Sequence, residues 1–367
     1  MAFDLAPTEE QQALRETLHE FADQVLRPAA RSAESAKKVP DDLARQAHEI
    51  GVTAPVPEEF GGGGEVDAVT YCMAAEELAW GDPGIAYQLL GSGLAAIVLS
   101  EAAGDDIKSR YLPAFATAEP PRSFVAIGEK FAAGDLETLA TTIDEDKVSG
   151  EKYGVLNASD ATVGVVVGRS HDDKLSAAVV DAESGYEVVR PEDKLGLEAA
   201  PTSIVRFDGA AASLESGPEL EKALLWAKLL TGALAVGCAR ASLEYASTYA
   251  TEREAFGKPI GSFQAISFKI ADMAIAVDAA RLSVWRAAWK INKGEGTLSD
   301  VAEAVGQALT SAVLCGDDGV QILGGHGYIR DHPVEKWFRD AVTLSVFDAP
   351  DVLGDSMVAR SVVAGGK

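Results

Sequence analysis

The sequence predicts an α+β protein in which a helical domain, a β domain and a second helical domain follow one another along the chain. Two observations support this order. Helical periodicity dominates residues 1–120 and 216–367, whereas short β-branched runs separated by turn-forming residues dominate 121–215. The chain has 367 residues, of which 47% are apolar, and this is enough for a sizeable core.

The first domain is expected to open with a helix after Thr8, a good N-cap residue that acidic residues follow directly. Apolar residues then recur at intervals of four, three and four, namely Leu14, Leu18, Phe21 and Val25. This spacing places them on one helical face. Two further helices are predicted over residues 69–84 and 93–104.

The central domain contains four short segments that favour strands, at residues 162–170, 175–184, 186–194 and 203–211. Each is rich in β-branched residues and is bounded by Gly, Asp, Ser or Pro. A region of about 95 residues with this pattern predicts a small antiparallel barrel or sandwich.

The third domain is predicted to contain a long Ala-rich helix over residues 220–254, which has almost no helix-breaking residues. A second helix carries apolar residues at intervals of three, four, three and four, namely Phe263, Ile266, Ile270, Met273 and Val277. We interpret this seam as core that packs against other helices. The high apolar content of these helices also favours oligomerisation.

Charge and composition exclude several classes of function. The net charge of −25 argues against nucleic acid and anionic membranes as partners. No run of about 18 apolar residues is evident, so no membrane span is expected. The N-terminus lacks the order of a signal peptide, which predicts a cytoplasmic protein. The three cysteines are expected to be buried and the five histidines lack metal-ligand spacing, so no metal site is expected.

Two long motifs resemble the acyl-CoA dehydrogenase family. The segment REAFGKPIGSFQ (253–264) is similar to the family's R-x-x-F-G followed by Gln. The segment QILGGHGYIRDHPVEKWFRDA (321–341) is similar to its Q-x-x-G-G-x-G-[YF] and R-D-A elements. The resemblance extends over essentially the whole chain. It implies an N-terminal helical domain, a β-barrel and a C-terminal four-helix bundle, with FAD bound between subunits.

The resemblance also implies which residues bind the cofactor. Arg253 would contact the FAD pyrophosphate, Phe256 would line the flavin groove, and Gln264 would hydrogen-bond the nucleotide portion. Three further residues would let the backbone approach the cofactor closely, namely Gln321, Gly324 and Gly325. In the family these groups reach FAD that is seated mainly on a neighbouring subunit. Taken singly, Arg253 could also be an ordinary surface arginine and Phe256 a core residue. Gly324 and Gly325 could simply end a helix.

Two family motifs that hold the flavin ring are altered. Where the family has T-E-P-x-x-G-S-D, residues 128–135 read GEKFAAGD, so Glu129 and Asp135 match while Gly128 and Gly134 replace the Thr and the Ser. Where the family has W-I-T, residues 154–156 read GVL. Losing two or three hydrogen bonds of about 0.5–1.5 kcal/mol each, together with a stacking partner, predicts weak binding of the flavin ring.

The catalytic base position is altered as well. Asp348 stands where the family has the Glu of I-Y-E-G-T. Asp is one methylene shorter, and a displacement of about 1 Å can lower a rate by about 10²-fold. Because Pro350 and Asp351 suit the first turn of a helix, we favour an acid at a helix start over a working base. The other position at which some family members place the base corresponds to Ala227.

These departures predict a subunit of a heteromeric (α2β2) acyl-CoA dehydrogenase. A second subunit would supply the flavin-ring pocket and the catalytic Glu for α,β-dehydrogenation of an acyl-CoA thioester. The chain resembles most closely the two-gene steroid acyl-CoA dehydrogenases of actinobacteria, which act on cholesterol side-chain thioesters, and an electron-transfer flavoprotein is the implied acceptor. Two alternatives remain open: a homotetrameric enzyme with Asp348 as base, and a non-catalytic acyl-thioester-binding scaffold.

Overall fold

The computed structural model confirms the predicted succession of helices, strands and helices. It describes residues 6–51, 53–64, 66–130, 136–144, 146–182, 186–214, 217–346, 358–359 and 362–363. The domain limits, which the sequence predicts at residues 120 and 215, remain predictions.

In the described part of the chain seven α-helices precede the first strand: α1 Glu9–Phe21, α2 Arg27–Ala36, α3 Asp41–Glu49, α4 Ala68–Gly81, α5 Pro83–Gly91, α6 Leu94–Ala102 and α7 Asp105–Phe115. A π-helical turn, Ala22–Leu26, joins α1 to α2. Thr8 caps α1 as predicted, because its hydroxyl accepts the Gln11 N–H while the Gln11 side chain accepts the Thr8 N–H. The helix predicted over 69–84 is divided, since Asp82 leaves the helical conformation and caps α5 through the Ile85 N–H. Pro83, which lacks an N–H, starts the new helix.

The central strands form one eight-stranded sheet: β1 Ser123–Ala126, β2 Thr142–Ile143, β3 Lys147–Leu156, β4 Val163–Arg169, β5 Leu175–Asp181, β6 Tyr186–Pro191, β7 Thr202–Ala210 and β8 Ala212–Ser213. Their order is β6-β7-β3-β2-β4-β5-β8, with β1 beside β4. Most neighbours are antiparallel, as predicted. The pairs β1–β4 and β2–β4 are parallel, so the sheet is mixed and not purely antiparallel.

Strand β4 explains why the sheet contacts the helices so closely. Its Val165 and Val167 belong to the large core shared with the helices, whereas Val166 belongs to a smaller core inside the β domain. Both faces of the strand are therefore buried, which accounts for its unbroken apolar sequence. The smaller core also contains Phe124 and Phe207, whose rings are 6.3 Å apart.

Four helices form the last part of the described chain: α8 Pro218–Glu252, α9 Gln264–Asn292, α10 Leu298–Leu323 and α11 Val334–Val346. A short hairpin and a 3₁₀ turn connect α8 to α9, and the 3₁₀ turn Gly324–Tyr328 follows α10. Helix α8 packs against the other three and also against α4. The predicted α9 seam is confirmed as core at Met273 and Val277, which are buried, and Ile266 and Ile270 are half-buried and pack against that core. Phe263, at the start of the seam, is half-buried and packs against Phe256.

Two stretches are long and apolar enough to cross a membrane by length and composition alone, Pro83–Ala102 and Pro218–Glu252. The sequence expectation concerned unbroken apolar runs, and neither stretch is one, because polar residues such as Gln88 and Lys228 interrupt them. Inside the protein 78% and 83% of these windows are buried, as in core helices of globular proteins.

Candidate active site

A cavity of about 470 Å³ opens where the helical and β domains meet. Helices contribute Tyr87, Leu94, Ala227, Thr231, Thr343 and Val346 to its lining. Strands and loops contribute Gly128, Glu129, Gly154 and residues 192–194. The positions at which the sequence departs from the family motifs, Gly128, Gly154 and Ala227, thus line the same cavity.

Two other depressions contain none of the motif residues among the described parts of the chain. One, of about 390 Å³, lies between α3, α5 and the connection from α7 to β1. The other, of about 840 Å³, is a groove between α6, the start of α8 and the connection from α9 to α10. The cavity lined by Gly154 and Ala227 is therefore the candidate active site.

Glu129 is buried in the cavity wall and its carboxylate is fully engaged. It accepts hydrogen bonds from the Ala140 N–H at 2.7 Å, from the Thr141 N–H at 2.9 Å and hydroxyl at 2.6 Å, and from Lys152 Nζ at 2.8 Å. Burial raises the pKa of Glu129, but the hydrogen bonds and charge of these partners outweigh burial and hold it below its ordinary value. A carboxylate held in this way supports the loop and does not suit proton abstraction.

Lys152 is the fully buried partner of this carboxylate. Besides Glu129, its ammonium donates to the Ile127 carbonyl at 2.9 Å. Because Ile127 and Glu129 both line the cavity, Lys152 fixes the loop that carries them. Sequence reasoning matched Glu129 to a family motif but did not identify its buried cation, which comes from the middle of β3.

The wall around Gly154 is charged where the family has an aromatic ring. The Gly154 N–H donates to Glu192 Oε2 at 3.0 Å, and Gly154 has a φ of 68°, which favours glycine. Lys194 donates to the Ala200 carbonyl at 2.6 Å and to the Thr202 hydroxyl at 3.2 Å. Burial lowers the pKa of Lys194 to about 8. Sequence reasoning treated this segment as a strand end, so it missed both Glu192 and Lys194.

Of the two positions at which the family places a base, only Ala227 lies among the described residues, and it provides none. Ala227 lines the cavity with a methyl group, which cannot accept a proton. Helix α11 reaches the cavity at Val346, which is also part of the lining. Asp348 lies outside the described residues, as do Gly134 and Asp135.

A buried triad attaches α11 to the cavity loop. Lys336 Nζ contacts Asp340 at 2.8 Å and also the carboxylate of Asp82, the N-cap of α5. Asp340 in turn accepts the Leu197 N–H at 2.7 Å, just beyond the lining residues 192–194. Burial lowers the pKa of Lys336, but the two carboxylates outweigh burial and hold it above its ordinary value, whereas burial raises the pKa of Asp82. The triad thus holds three cavity-forming segments together.

The residues expected to contact FAD lie elsewhere, at the far end of α8. Arg253 and Gln264 are exposed on either side of the short hairpin, and Phe256 at its tip is 96% exposed. Phe256 has a left-handed φ of 53° and its ring contacts that of Phe263, with centroids 6.1 Å apart. An exposed aromatic residue in a strained backbone conformation is compatible with the predicted contact to FAD, which remains a prediction.

The second motif lies next to the first. Gln321 and Gly325 are exposed, and a Cβ at Gly324 or Gly325 would meet no neighbouring atom. His326 Nδ1 is 2.8 Å from the hydroxyl of Tyr249, which lies one helical turn before Arg253. The structure therefore brings together all six residues predicted to bind FAD on one open surface, although their roles remain predictions.

This surface and the cavity are far apart within the chain. Ala227 and Arg253 are 26 positions apart on one continuous helix, which corresponds to about 39 Å at a rise of 1.5 Å per residue. This is further than an FAD molecule extends. One chain therefore cannot place both sets of residues on the same FAD.

Comparison with known proteins identifies the family. The N-terminal domain model of acyl-CoA dehydrogenases matches residues 8–119, and the C-terminal domain model matches residues 219–363. Benzylmalonyl-CoA dehydrogenase of Aromatoleum aromaticum is 34% identical, over 93% of this chain and 94% of that protein.

Solved structures agree with this assignment. Butyryl-CoA dehydrogenase of Megasphaera elsdenii superimposes with a TM-score of 0.86 at 25% identity, covering 98% of this chain and all of the other. The FAD complex of PigA superimposes with a TM-score of 0.89 at 25% identity, covering 98% of this chain and 99% of that one. The chain therefore belongs to the acyl-CoA dehydrogenase family of FAD-dependent oxidoreductases.

Proposed function

We propose that this chain is one subunit of a heteromeric acyl-CoA dehydrogenase, of the α2β2 type, that catalyses α,β-dehydrogenation of an acyl-CoA thioester. It contributes Arg253, Phe256, Gln264, Gln321, Gly324 and Gly325 to an FAD that is seated mainly on the partner subunit. The partner contributes the flavin-ring pocket and the catalytic Glu.

The altered flavin-ring pocket of the chain's own cavity is the observation that carries this proposal, and the separation of the two sites along α8 adds that Arg253 serves the FAD of a neighbouring subunit. About 39 Å separates Ala227 in the cavity from Arg253, so Arg253 meets a flavin only when another subunit brings one to it. The chain's own cavity has Gly154 in place of a stacking ring and Ala227 at one base position. The surface at the far end of α8 keeps the residues of both family motifs, whereas the cavity lacks the stacking ring and one of the two base positions.

The residues on the surface at the far end of α8 fit an FAD nucleotide. An exposed guanidinium suits the pyrophosphate, an exposed amide suits ribose or adenine, and open glycines allow close backbone approach. When bound, FAD accepts the hydride that leaves Cβ of the thioester. The residues of this chain orient the nucleotide and exclude water from one side of it.

The chain's own cavity fits a flavin ring poorly. The backbone N–H of Gly154, a candidate donor to a ring oxygen, is already bound to the Glu192 carboxylate. Glu192 and Asp193 add negative charge to the wall, and no indole is present at residue 154 to stack on a ring. FAD binding by the lone chain is therefore expected to be weak.

A bulky acyl group, such as a steroid side-chain thioester, is the proposed substrate class. The support for this class is the resemblance of the sequence to the two-gene steroid acyl-CoA dehydrogenases, which act on cholesterol side-chain thioesters. One relative is named benzylmalonyl-CoA dehydrogenase, and the substrate in that name also contains a ring. An electron-transfer flavoprotein is the proposed acceptor and the cytoplasm the proposed compartment.

A homotetrameric enzyme that uses Asp348 as base is the second candidate. The observation that favours it is Val346, which lines the cavity only two residues before Asp348. In this arrangement the flavin ring would occupy the chain's own cavity in spite of its charged wall.

Flavin absorbance of purified assemblies tests the proposal. The lone chain is expected to be colourless, and co-expression with a family member that retains the W-I-T motif and the Glu is expected to give a yellow complex. Arg253→Ala should lower FAD retention of that complex about tenfold, because it removes a charge-assisted contact with phosphate. Arg206→Ala, an exposed arginine on β7, is the matched control and should retain FAD. A lone chain that holds one FAD per subunit and oxidises acyl-CoA would refute the proposal.

A further inference from the structure

Helix α5 lies between two cavities. Tyr87 lines the candidate active site, whereas Gln88 and Leu89 line the cavity of about 390 Å³ between α3, α5 and the connection from α7 to β1. We call this second space the α3–α5 cavity. Its described lining contains none of the residues assigned to the proposed function. Its volume falls within the range of about 300–1,000 Å³ that is typical of small-molecule sites.

Gln88 lies in the wall of the α3–α5 cavity with an unused hydrogen-bond acceptor. The residue is 3% exposed, and its side-chain oxygen has no hydrogen-bond partner among the described residues. A buried amide oxygen without a partner is unfavourable, because it has lost its hydrogen bonds to water. A ligand that brings a donor to this oxygen therefore gains from meeting it.

A chain of hydrogen bonds fixes which end of the Gln88 amide is left over. The Ser92 hydroxyl donates to the backbone carbonyl of Gln88 at 2.8 Å, so it accepts from the side-chain nitrogen of Asn157 at 2.7 Å. The side-chain oxygen of Asn157 therefore faces Gln88 and accepts from its amide nitrogen at 3.5 Å. Turning the Gln88 amide over would place two oxygens against each other. The remaining group is thus an acceptor, and its partner must be a donor.

The walls around Gln88 are mostly apolar. The apolar lining residues are Ala44, Ala54, Leu89, Phe115, Ala118, Pro120 and Pro121. His48 Nδ1 lies 3.0 Å from the Thr53 hydroxyl, so these two polar side chains pair with each other. An aromatic ring, two proline rings and aliphatic side chains suit a flat ring system. The lining therefore selects a flat molecule with a donor at the end that meets Gln88.

The charges at the rim of the cavity are mainly negative. Arg122 is paired with Asp41 at 2.6 Å. Arg45, Asp42 and Glu119 are exposed and form no ion pair with any described residue. Two carboxylates thus stand against one guanidinium, on a chain whose net charge is −25. Carboxylates accept hydrogen bonds from ribose hydroxyls, and they repel phosphate.

We infer that the α3–α5 cavity binds an uncharged adenine nucleoside. The exocyclic amine of adenine donates to the side-chain oxygen of Gln88, as it does to glutamine in base recognition. The purine ring lies against the apolar walls, and the ribose hydroxyls reach the carboxylates of Asp42 and Glu119 at the rim. A cavity of this size suits a nucleoside and not a whole dinucleotide. Binding here requires no second subunit, so it can be measured on the lone chain.

Isothermal titration calorimetry of the full chain with adenosine tests the inference. We expect one saturable site with a Kd below about 1 mM. Purine riboside, which lacks the exocyclic amine, should bind at least about tenfold more weakly, because the Gln88 oxygen then stays buried without a partner. AMP should also bind more weakly than adenosine, since its phosphate meets the carboxylates of the rim.

Four variants locate the site. Gln88→Met removes the acceptor at similar volume and should weaken adenosine binding at least about tenfold. Ala118→Phe fills the exposed rim and should weaken binding as well, which keeps the test decisive if Gln88→Met does not fold. Gln46→Met, an exposed change on α3 outside the lining, is the matched control and should bind adenosine like the wild type. Gln264→Ala, on the surface expected to contact FAD, should do the same.

The inference is overturned if adenosine shows no saturable binding with a Kd below about 1 mM. It is also overturned if purine riboside or AMP binds as tightly as adenosine, or if folded Gln88→Met or Ala118→Phe keeps the affinity of the wild type. Loss of adenosine binding in Gln264→Ala would place the nucleoside on the surface expected to contact FAD. That result would overturn this inference while leaving the proposed function intact.

Discussion

Replacing Lys336 by Met is expected to destabilise the protein strongly, because it removes the only cation of the buried triad. Lys336 is 2% exposed, and its ammonium lies between the carboxylates of Asp82 and Asp340. Methionine fills a similar volume, so the change is mainly electrostatic. Breaking a buried ion pair by removing one partner costs about 3–5 kcal/mol. Two carboxylates lose their counter-ion here, so we expect the upper end of that range at pH 8.

The pH dependence distinguishes this cause from a packing defect. Burial already raises the pKa of Asp82, and replacing Lys336 removes the strongest influence that opposes burial, the positive charge of the ammonium. A carboxyl group whose pKa is higher in the folded than in the unfolded protein favours folding only when it is protonated. The loss in the variant should therefore be largest at pH 8 and should shrink as the pH falls through the raised pKa of Asp82.

Urea denaturation followed by far-UV circular dichroism at pH 8 and pH 5.5 measures both effects, provided that the m values agree. Lys174→Met, at an exposed turn before β5, is the matched control and should change the free energy of unfolding by less than about 0.5 kcal/mol. A loss below about 1 kcal/mol for Lys336→Met at pH 8, or an equal loss at both pH values, would contradict this explanation.

Three further predictions concern the cavity. Asp348→Asn should change turnover of the heteromeric enzyme less than about twofold, since the partner supplies the base; a loss of 10²-fold or more with flavin retained would favour the homotetramer instead. Lys152→Met should lower the free energy of unfolding by about 3 kcal/mol, because it leaves Glu129 buried without its cation, and a melting temperature equal to that of the wild type would contradict this. NMR of reductively ¹³C-methylated protein should show one lysine that titrates near pH 8 and disappears in Lys194→Met, since burial lowers the pKa of Lys194 to about 8; spectra in which every lysine titrates above pH 9.5 would refute the effect.

Local signals in the sequence predicted much of the fold. The N-cap at Thr8 and the α9 seam at Met273 depend only on residues within a few turns of one another, and both are confirmed. The break between α4 and α5 was missed because the apolar pattern continues across it, although Asp82 and Pro83 together are a helix-start signal. The parallel pairing of β1 with β4 was also missed, because strand order depends on contacts between residues distant in sequence.

The candidate site was predictable only where motifs exist. The six residues expected to bind FAD were found from two motifs, and the structure gathers them on one surface. Glu192, Lys194 and Lys152 belong to segments that look like ordinary strands and turns, so only tertiary structure reveals that they line or support the cavity. Burial, which gives Lys194 its low pKa, is not a property of any short segment.

The length of α8 has a genetic consequence. In the proposed heteromer one end of this helix lines a cavity in which flavin binding is expected to be weak, while the other end would reach the FAD of the partner subunit. An allele altered at Arg253 should therefore lose activity, whereas an allele altered only at Ala227 should keep it. Inserting a single residue between them would turn one end by about 100° relative to the other, and no second allele could correct that rotation.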